Sequence, residues 1–386
     1  MGNELRINIC GDFSAKQEVY DYVQNETNSE NLFGDLLDLL DHSDLNVVNP
    51  EYPFTSSNIK ATKYGSVLKG HPDCFQPIKK AKFNLLSLAN NHILDYGIEG
   101  LKETIGLCRK NNIDFVGAGV NYEEARKPYY FEANGKTVAI LNYAENEFNT
   151  AKANMRGGAN PIDIVENVRD IKAAKKRCDY VIVIFHGGNE FIHYPSLRLQ
   201  NQCRFYAENG ADFIVGHHTH YVSGYEVYNG VPIIYSLGNL FYPLRKPKEW
   251  KETVIVNITI DEEGLKYKFI PFRLNLDAFK LEKMQGDVLE EFEGRFSNYS
   301  KVLKEPELLH KKWSEGIKKV EINYLSLLLG VPYIARRITR RLKLESLLLK
   351  FLKVFVKRYL IHLNLVRCEA HQDAIIELLD KERHDS

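Results

Sequence analysis

Three short polar segments contain the residues of this chain whose types and spacing could do chemistry. They are Asn90-Asn91-His92, His186-Gly187-Gly188-Asn189-Glu190 and Gly216-His217-His218-Thr219-His220. Each segment follows an apolar run of the kind that forms buried strands. Five of the twelve histidines lie in these segments, and neutral imidazole is the commonest metal ligand in proteins. The sequence therefore predicts a metal centre where several strands end.

Two carboxylates follow the first two strand-like runs. Asp12 ends the first run, where it could offer a hard oxygen ligand. Glu51 follows the second run and could bridge two ions. Taken alone, Asp12 could equally be a turn or helix-capping residue, and Glu51 would more often be a surface glutamate.

The third strand-like run leads to a candidate amide ligand and a candidate acid. Asn91 can bind a metal through its carbonyl oxygen, and the adjacent His92 could protonate a leaving group. Asp95, three residues later, could orient the His92 ring. The alternative that Asn90-Asn91 is only a turn stays open.

The segment that begins at His186 follows the most hydrophobic run of the chain. Its two glycines would let backbone and substrate approach closely. Glu190 is a candidate metal ligand or acid–base group, whereas His193 is expected to be a rim or solvated residue.

The histidine-rich segment contains a specific ligand pattern. His218 and His220 alternate around Thr219, so an extended backbone would point both side chains to the same side. His217 would face the other way, in a packing role or beside a ligand. Asn239, after a later strand-like run, is a candidate for the rim of the site.

The elements that must position these residues are short β-branched runs alternating with amphipathic stretches. This alternation predicts an α/β fold in which loops at one sheet edge form the site. Asn134-Gly135 and Asn229-Gly230 are typical of hairpin turns, so mixed sheets are expected. After residue 275 the strand-like runs stop and charged helical patterns begin. We therefore predict a domain of residues 1–275 and a C-terminal helical extension of residues 276–386.

The extension contains a basic amphipathic segment at residues 331–367, where ten arginines and lysines accompany a single glutamate. Such a segment could contact an anionic membrane surface or hold a partner. The alternative is that its apolar face packs on the catalytic domain while its cations are solvated.

The composition and the first residues of the chain limit the partners, the kinds of site and the location that we expect. The formal net charge is zero, so no global field attracts nucleic acid, and no nucleic-acid partner is expected. The six cysteines are scattered singly, which argues against a zinc ribbon or a disulfide framework. The first residues lead directly into a strand-like run without the pattern of a signal peptide. A cytoplasmic protein, or one peripheral to the membrane, is therefore expected.

Taken together, these motifs resemble the calcineurin-like metallophosphoesterase superfamily. Within it, the similarity is greatest to capsule-biosynthesis proteins of the CapA/PgsA type, which are linked to poly-gamma-glutamate. The resemblance covers roughly residues 6–245, and its most specific parts are residues 88–97, 117–119, 186–190, 215–220 and 236–239. It implies a metallophosphoesterase-like fold with mixed β-sheet layers flanked by helices, in a four-layer α/β/β/α arrangement.

The resemblance also implies a role for each matching residue. Asn91 would be an amide ligand, and His92 an acid or oxyanion stabiliser. The other ligands are Asp12 at the first strand, Glu51 at the bridging position, His186 and His218 on one metal, and His220 on the other. One or two divalent transition metal ions (Mn, Fe or Zn) are implied as cofactors.

One position departs from the superfamily pattern. The superfamily usually has a histidine two residues after the first-strand aspartate, and this chain has Ser14. The first metal would then have fewer strong ligands, unless Glu190 substitutes.

Two functions remain open on this basis. The first is a metal-dependent, phosphoesterase-like hydrolase whose substrate is a phosphoester, or a related bond in capsule, poly-gamma-glutamate or another envelope polymer. The second is a non-catalytic accessory or scaffold protein of polymer assembly with a vestigial metal site. The sequence leaves the oligomeric state open.

Overall fold

The computed structural model describes most of the chain. It covers residues 4–63, 65–151, 156–355, 366–368, 370–372 and 374–376. These residues separate into two compact units. One unit comprises residues up to 61 together with 67–313, and the other comprises residues 62–66 and those from 314 onward.

Fifteen strands occur in the described residues. They are β1 (Leu5–Phe13), β2 (Leu45–Pro50), β3 (Leu85–Ser87), β4 (Asp114–Val116), β5 (Ala118–Gly119), β6 (Tyr129–Ala133), β7 (Lys136–Ala144), β8 (Gly158–Ala159), β9 (Tyr180–His186), β10 (Phe213–His217), β11 (Tyr225–Tyr228), β12 (Val231–Ile234), β13 (Glu252–Asp261), β14 (Gly264–Asn275) and β15 (Lys280–Lys283).

Twelve α-helices occur in the same part of the chain. They are α1 (Gln17–Asn25), α2 (Leu36–Asp41), α3 (Gln76–Lys80), α4 (Gly97–Lys110), α5 (Tyr122–Arg126), α6 (Ile164–Lys175), α7 (Leu197–Glu208), α8 (Gly286–Val302), α9 (Pro306–Lys319), α10 (Glu321–Leu328), α11 (Tyr333–Arg341) and α12 (Glu345–Phe355).

Two large mixed sheets form the first unit. One has the strand order β15-β14-β13-β1-β2-β3-β4, and the other has the order β11-β12-β10-β9-β7-β6. In the first sheet, β1 to β4 run parallel while β13 pairs antiparallel with β1. In the second, the parallel strands β7, β9, β10 and β12 are flanked by antiparallel β6 and β11. The prediction of mixed sheets is confirmed.

Both predicted hairpin turns are confirmed. Asn134-Gly135 joins β6 to β7 and Asn229-Gly230 joins β11 to β12. All four residues have positive φ, at 52°, 70°, 50° and 83° in chain order. Asparagine and glycine tolerate this conformation best, and two such residues in succession match the twist of the flanking strands.

The sheets pack face to face because their inward residues recur with a period of two. Ile7 and Ile9 of β1 meet Ile182 and Ile184 of β9 in a shared apolar core. The outer face of the first sheet is covered by helices that include α1, α2 and α4. The outer face of the second sheet is covered by α6 and α7. The four-layer α/β/β/α arrangement is therefore confirmed.

The C-terminal part is helical, as predicted, but strand structure does not stop at residue 275. The short polar strand β15 pairs antiparallel with β14 and extends the first sheet. Its sequence, Lys-Leu-Glu-Lys, has a single apolar residue, so hydrophobic pattern alone does not reveal it. Phe292 of α8 packs in the core between the sheets, and Leu309 of α9 packs in the core beneath α6 and α7. The domain boundary at 275/276 stays a prediction.

The basic segment predicted at residues 331–367 is helical where it is described, in α11 and α12. Residues 356–365 lie outside the described residues. Over the described ranges, the helices lack the combination of length and apolar composition that a transmembrane span requires.

Gly216 lets β10 approach its neighbours closely, just before the histidine segment. A Cβ atom there would lie 2.1 Å from the Tyr235 carbonyl oxygen and 2.5 Å from the Phe185 ring. We therefore expect Gly216→Ala to lower the free energy of unfolding by about 2 kcal/mol or more. Differential scanning calorimetry should show a clearly lower melting temperature.

Gly106→Ala is the matched control, because a Cβ at this helical position meets no heavy atom of a described neighbour within 4 Å. It should raise stability slightly, by about 1 kcal/mol at most. Equal melting temperatures for the two variants would show that the close approach of β10 does not require glycine.

Candidate metal centre

The candidate ligands meet because parallel strands of both sheets end at the same edge. Asp12 lies near the end of β1, and Glu51 directly follows β2. His186 is the last residue of β9, and His218 directly follows β10. Side chains at the carboxyl ends of parallel strands share one edge, which is where α/β sheets form their sites.

One group of ligand atoms consists of an amide oxygen and two imidazole nitrogens. The Nε2 atom of His186 lies 3.1 Å from Asn91 Oδ1 and 3.1 Å from His218 Nδ1. All three residues are at most 8% exposed. Ligands bound about 2.1 Å from one ion are roughly 3 Å or slightly more apart, so this spacing suits a shared metal.

A second group consists of Asp12, Glu51 and His220, all buried. One ligand atom from each lies within 4.8 Å of the others. His220 Nε2 is 3.2 Å from Glu51 Oε1, and its Nδ1 is 3.9 Å from Asp12 Oδ2. The buried Glu51 Oε2 has no hydrogen-bond partner among the described residues. An unsatisfied buried carboxylate oxygen is costly, and a cation would satisfy it.

The two carboxylates of this group have pKa values shifted in opposite directions. Burial, reinforced by the charge of Asp12, raises the pKa of Glu51 well above its usual range. Burial also opposes ionisation of Asp12, but hydrogen bonding and charge from His217, with His186 and His220 nearby, lower its pKa well below the usual range. A bound divalent cation would favour the ionised form of both.

His186 is held in its neutral, metal-binding form. Burial, followed by the charge of His218, lowers the pKa of His186 well below the usual value. Metal binding needs neutral imidazole, so protonation would not compete at neutral pH. The donor chemistry of both groups therefore fits divalent metal ions.

Asn49 links the groups, and the sequence analysis missed it. Its Nδ2 donates to Asp12 Oδ1 at 2.6 Å and lies 3.1 Å from His186 Nδ1. Asn90 in turn donates from Nδ2 to Asn49 Oδ1 at 3.2 Å. The available signal was a polar residue inside the apolar run of β2, at the strand end that leads to Glu51.

His92 and Asp95 form a hydrogen-bonded pair, as their spacing predicts. His92 Nδ1 lies 2.6 Å from Asp95 Oδ2, which also accepts from the Leu68 backbone N–H at 2.7 Å. The His92 ring packs edge-on against Tyr52, with 6.4 Å between ring centres. The ring orientation of His92 is therefore fixed from two sides.

Ser14 replaces the usual superfamily histidine without a ligand role in the described structure. Its hydroxyl is hydrogen-bonded to that of Tyr52. Both residues are buried. The departure from the superfamily pattern thus contributes to packing around His92 rather than to either ligand group.

The histidine segment does not adopt the expected extended conformation. β10 ends at His217, and both His218 (φ 91°) and His220 (φ 62°) are left-handed. The prediction that an extended backbone points both side chains to one side is therefore wrong. A kinked loop instead sends His218 to the first group and His220 to the second. Such non-glycine conformations are strained and occur preferentially at functional sites.

The structure also places three residues that the sequence analysis put beside the ligands or at the rim of the site. His217 Nδ1 lies 3.1 Å from Asp12 Oδ1, in the role beside a ligand that was predicted. Asn239 is buried rather than at the rim, and its Oδ1 is 2.9 Å from His220 Nδ1. His193 is partly buried, and its ring stacks on Tyr221 and Tyr299.

Glu190 is partly exposed and lies outside the group of Asp12, Glu51 and His220. Its negative charge nevertheless adds to the burial and to the charge of Asp12 that raise the pKa of Glu51. Its predicted role as a ligand or acid–base group stays a prediction, as do the individual roles of the other site residues.

Glu51 should destabilise the metal-free protein. The pKa of Glu51 is raised in the folded state, so the folded protein holds this proton more tightly than the unfolded chain does. The contribution of Glu51 to the free energy of unfolding is therefore highest at acid pH, and it is lost as pH rises through the folded pKa. Glu51→Gln removes the buried charge, so it should raise the melting temperature of chelator-treated protein at neutral pH. The difference should shrink towards acid pH, where Glu51 is protonated.

Calorimetry over a pH series, with and without added Mn²⁺, would measure this effect. Added Mn²⁺ should raise the melting temperature of the wild type by more than that of Glu51→Gln. A variant that is less stable than the wild type at neutral pH in chelator would contradict the prediction.

A family model and several relatives match the part of the chain that contains the candidate ligands. The family described as bacterial capsule synthesis protein PGA_cap matches residues 6–243, which contain every candidate ligand. The PGA biosynthesis protein CapA of Bacillus subtilis is 34% identical over 242 residues, covering 62% of this chain and 63% of that protein.

Two further relatives have names of the same kind. The capsule biosynthesis protein CapA of Bacillus anthracis is 31% identical over 247 residues, covering 62% of this chain and 60% of that protein. A Mycobacterium tuberculosis protein named "Probable polyglutamine synthesis accessory protein" is 26% identical, covering 54% of this chain and 58% of that protein. The chain thus spans less than two thirds of each relative's length. It belongs to the bacterial capsule synthesis protein family PGA_cap, within the calcineurin-like metallophosphoesterase superfamily.

Proposed function

We propose that the chain is a metal-dependent hydrolase that cleaves a phosphoester, or a related bond, in a cell-envelope polymer or its precursor. The observation that carries this proposal is the convergence of two ligand groups at one sheet edge, with the buried Glu51 Oε2 lacking a hydrogen-bond partner among the described residues. The names of the relatives refer to PGA biosynthesis, capsule biosynthesis and polyglutamine synthesis, which supports an envelope polymer as the setting.

Each ligand group would hold one divalent ion. Asn91, His186 and His218 would hold the first, while Asp12, Glu51 and His220 would hold the second. Mixed nitrogen and oxygen ligands suit Mn, Fe or Zn. When bound, such ions supply an activated water molecule and stabilise developing negative charge.

The protein's own residues supply the proton chemistry and the orientation. His92, fixed by Asp95 and Tyr52, would donate a proton to the leaving group or stabilise the developing oxyanion. Asn239 would orient His220, and Asn49 would orient Asp12 and His186.

A cation beside the ligand groups supports an anionic substrate. Lys16 is partly buried and its Nζ lies 4.6 Å from the centre of the Tyr242 ring. That ring is in turn 5.6 Å from the ring of His220. Burial lowers the pKa of Lys16, whereas the charge of Glu51 opposes this shift. An arriving phosphate would pair with this ammonium group.

The alternative function is an accessory or scaffold role without catalysis. The specific observation in its favour is the bond between Ser14 and Tyr52 at the position where the superfamily usually has a histidine ligand. The word "accessory" in the name of the mycobacterial relative is in keeping with it.

Metal content gives the first test. Protein purified without chelators or a His tag should contain two transition metal ions per chain by elemental analysis. His186→Ala and Glu51→Gln should each lose one ion, because they remove ligands from different groups. His42→Ala is the control, since His42 is an exposed residue that pairs only with Asp38 in the described structure, and it should retain both. A metal-free wild type that takes up neither Mn²⁺ nor Zn²⁺ would contradict the proposal.

Activity gives the second test. His92→Asn should lower kcat for a generic phosphodiester such as bis-p-nitrophenyl phosphate by about 100-fold or more, because proton donation is lost. Its metal content should stay unchanged. Asp95→Asn should cause a smaller loss through misorientation of His92.

The two functions predict different outcomes in this assay. A fully metallated wild type that hydrolyses no phosphoester would favour the scaffold function. Full activity in both His92→Asn and His186→Ala would contradict the hydrolase proposal, because neither the acid nor the first ligand group would then matter.

A further inference from the structure

The second unit exposes an apolar stripe along α11. Ile334 and Ile338 are four residues apart and lie on one side of the helix, and Leu342, the residue that caps its end, continues the same spacing. They are 70%, 51% and 61% exposed. A helix of a water-soluble domain normally turns such a stripe towards the core. Here the stripe is exposed to solvent, so it can be buried against a membrane or another molecule.

The next helix, α12, also exposes apolar side chains. Leu347 and Phe351 of α12 are also four residues apart, and they are 62% and 59% exposed. Leu352, adjacent to Phe351, is only 1% exposed. The helix therefore already buries a side chain on another face, while its Leu347–Phe351 side stays exposed. α11 and α12 contact each other.

The same helices are strongly cationic. Between residues 329 and 355 the sequence has seven arginines and lysines and a single glutamate, Glu345. That glutamate is 3.2 Å from Arg340, so its charge is balanced locally. Arg337, Arg341 and Lys350 are exposed, and each directly precedes an exposed apolar residue in the sequence.

We propose that α11 and α12 bind the surface of an anionic phospholipid bilayer. The apolar side chains would enter the boundary between headgroups and acyl chains, and the cations would pair with anionic headgroups. A second copy of the same face fits less well, because two such surfaces would place like charges opposite each other. This inference is independent of the proposed hydrolase function, since no residue of the metal centre takes part.

Vesicle co-sedimentation of the full-length chain tests the proposal. The chain should bind vesicles that contain phosphatidylglycerol and should not bind vesicles of phosphatidylcholine alone. The combined variant Arg337→Glu, Arg341→Glu and Lys350→Glu should bind at least about tenfold more weakly, given about 1 kcal/mol per cation at an anionic surface. Raised salt should weaken wild-type binding, because exposed charges are screened.

A matched control separates this surface from overall charge. The variant Lys110→Glu, Lys127→Glu and Lys172→Glu changes three exposed lysines of the first unit, and therefore alters net charge equally. It should bind within about twofold of the wild type. Equal loss in both triple variants would overturn the proposal, as would wild-type binding to phosphatidylcholine alone.

The apolar contribution is tested separately. Ile334→Ser with Ile338→Ser keeps every charge and changes only exposed side chains, so the fold should be retained and circular dichroism should show it. Vesicle affinity should fall severalfold. Unchanged affinity would overturn the insertion of the apolar stripe. Concentration-dependent self-association that this variant abolishes, without vesicle binding by the wild type, would assign the surface to a second copy instead.

Discussion

The candidate metal centre depends on keeping Asp12 ionised in the interior of the protein. Burial opposes that charge, and three contacts maintain it: the Asn49 amide, the His217 ring and the backbone N–H of His218. Hydrogen bonds to a carboxylate are stronger than those between neutral groups, and the dry surroundings strengthen them further. Because these contacts come from both sheets, the charge of Asp12 also ties the two sheets together at the edge where the ligands converge.

The apolar core between the sheets supports the buried hydrogen bonds around Asp12 and His186. Inward-facing residues such as Ile9 and Ile184 fill the space between the sheets, and they lie on the same strands as Asp12 and His186. Strands that are packed along their length also fix the backbone of their last residues, so Asp12 and His186 are held close together at the sheet edge. The loop after β10 is different, because left-handed His218 and His220 store strain there. Contacts with Asn239 and Asp12 hold that strained loop in place.

The sequence predicted the parts of the structure that follow from periodicity and strand ends. Buried strands such as β9, the Asn-Gly hairpins and the positions of Asp12 and His186 at one edge all follow from local patterns. β15 was not predictable in this way, because its polar sequence is held by pairing with β14 rather than by burial. The kinked backbone of His218 and His220 depends on tertiary contacts, and spacing alone suggested the wrong conformation.

The residues that hydrogen-bond to the ligands were also not predictable from local sequence patterns. Asn49 and Asn239 are ordinary amides in the sequence, and only the packing of distant strands brings them beside Asp12 and His220. Ser14 is the most instructive position, because its bond to Tyr52 leaves a ring packed against His92. The residue two positions after Asp12 is therefore linked structurally to the candidate acid. The same serine leaves both ligand groups to other side chains, and its bond helps to hold the Tyr52 ring against His92.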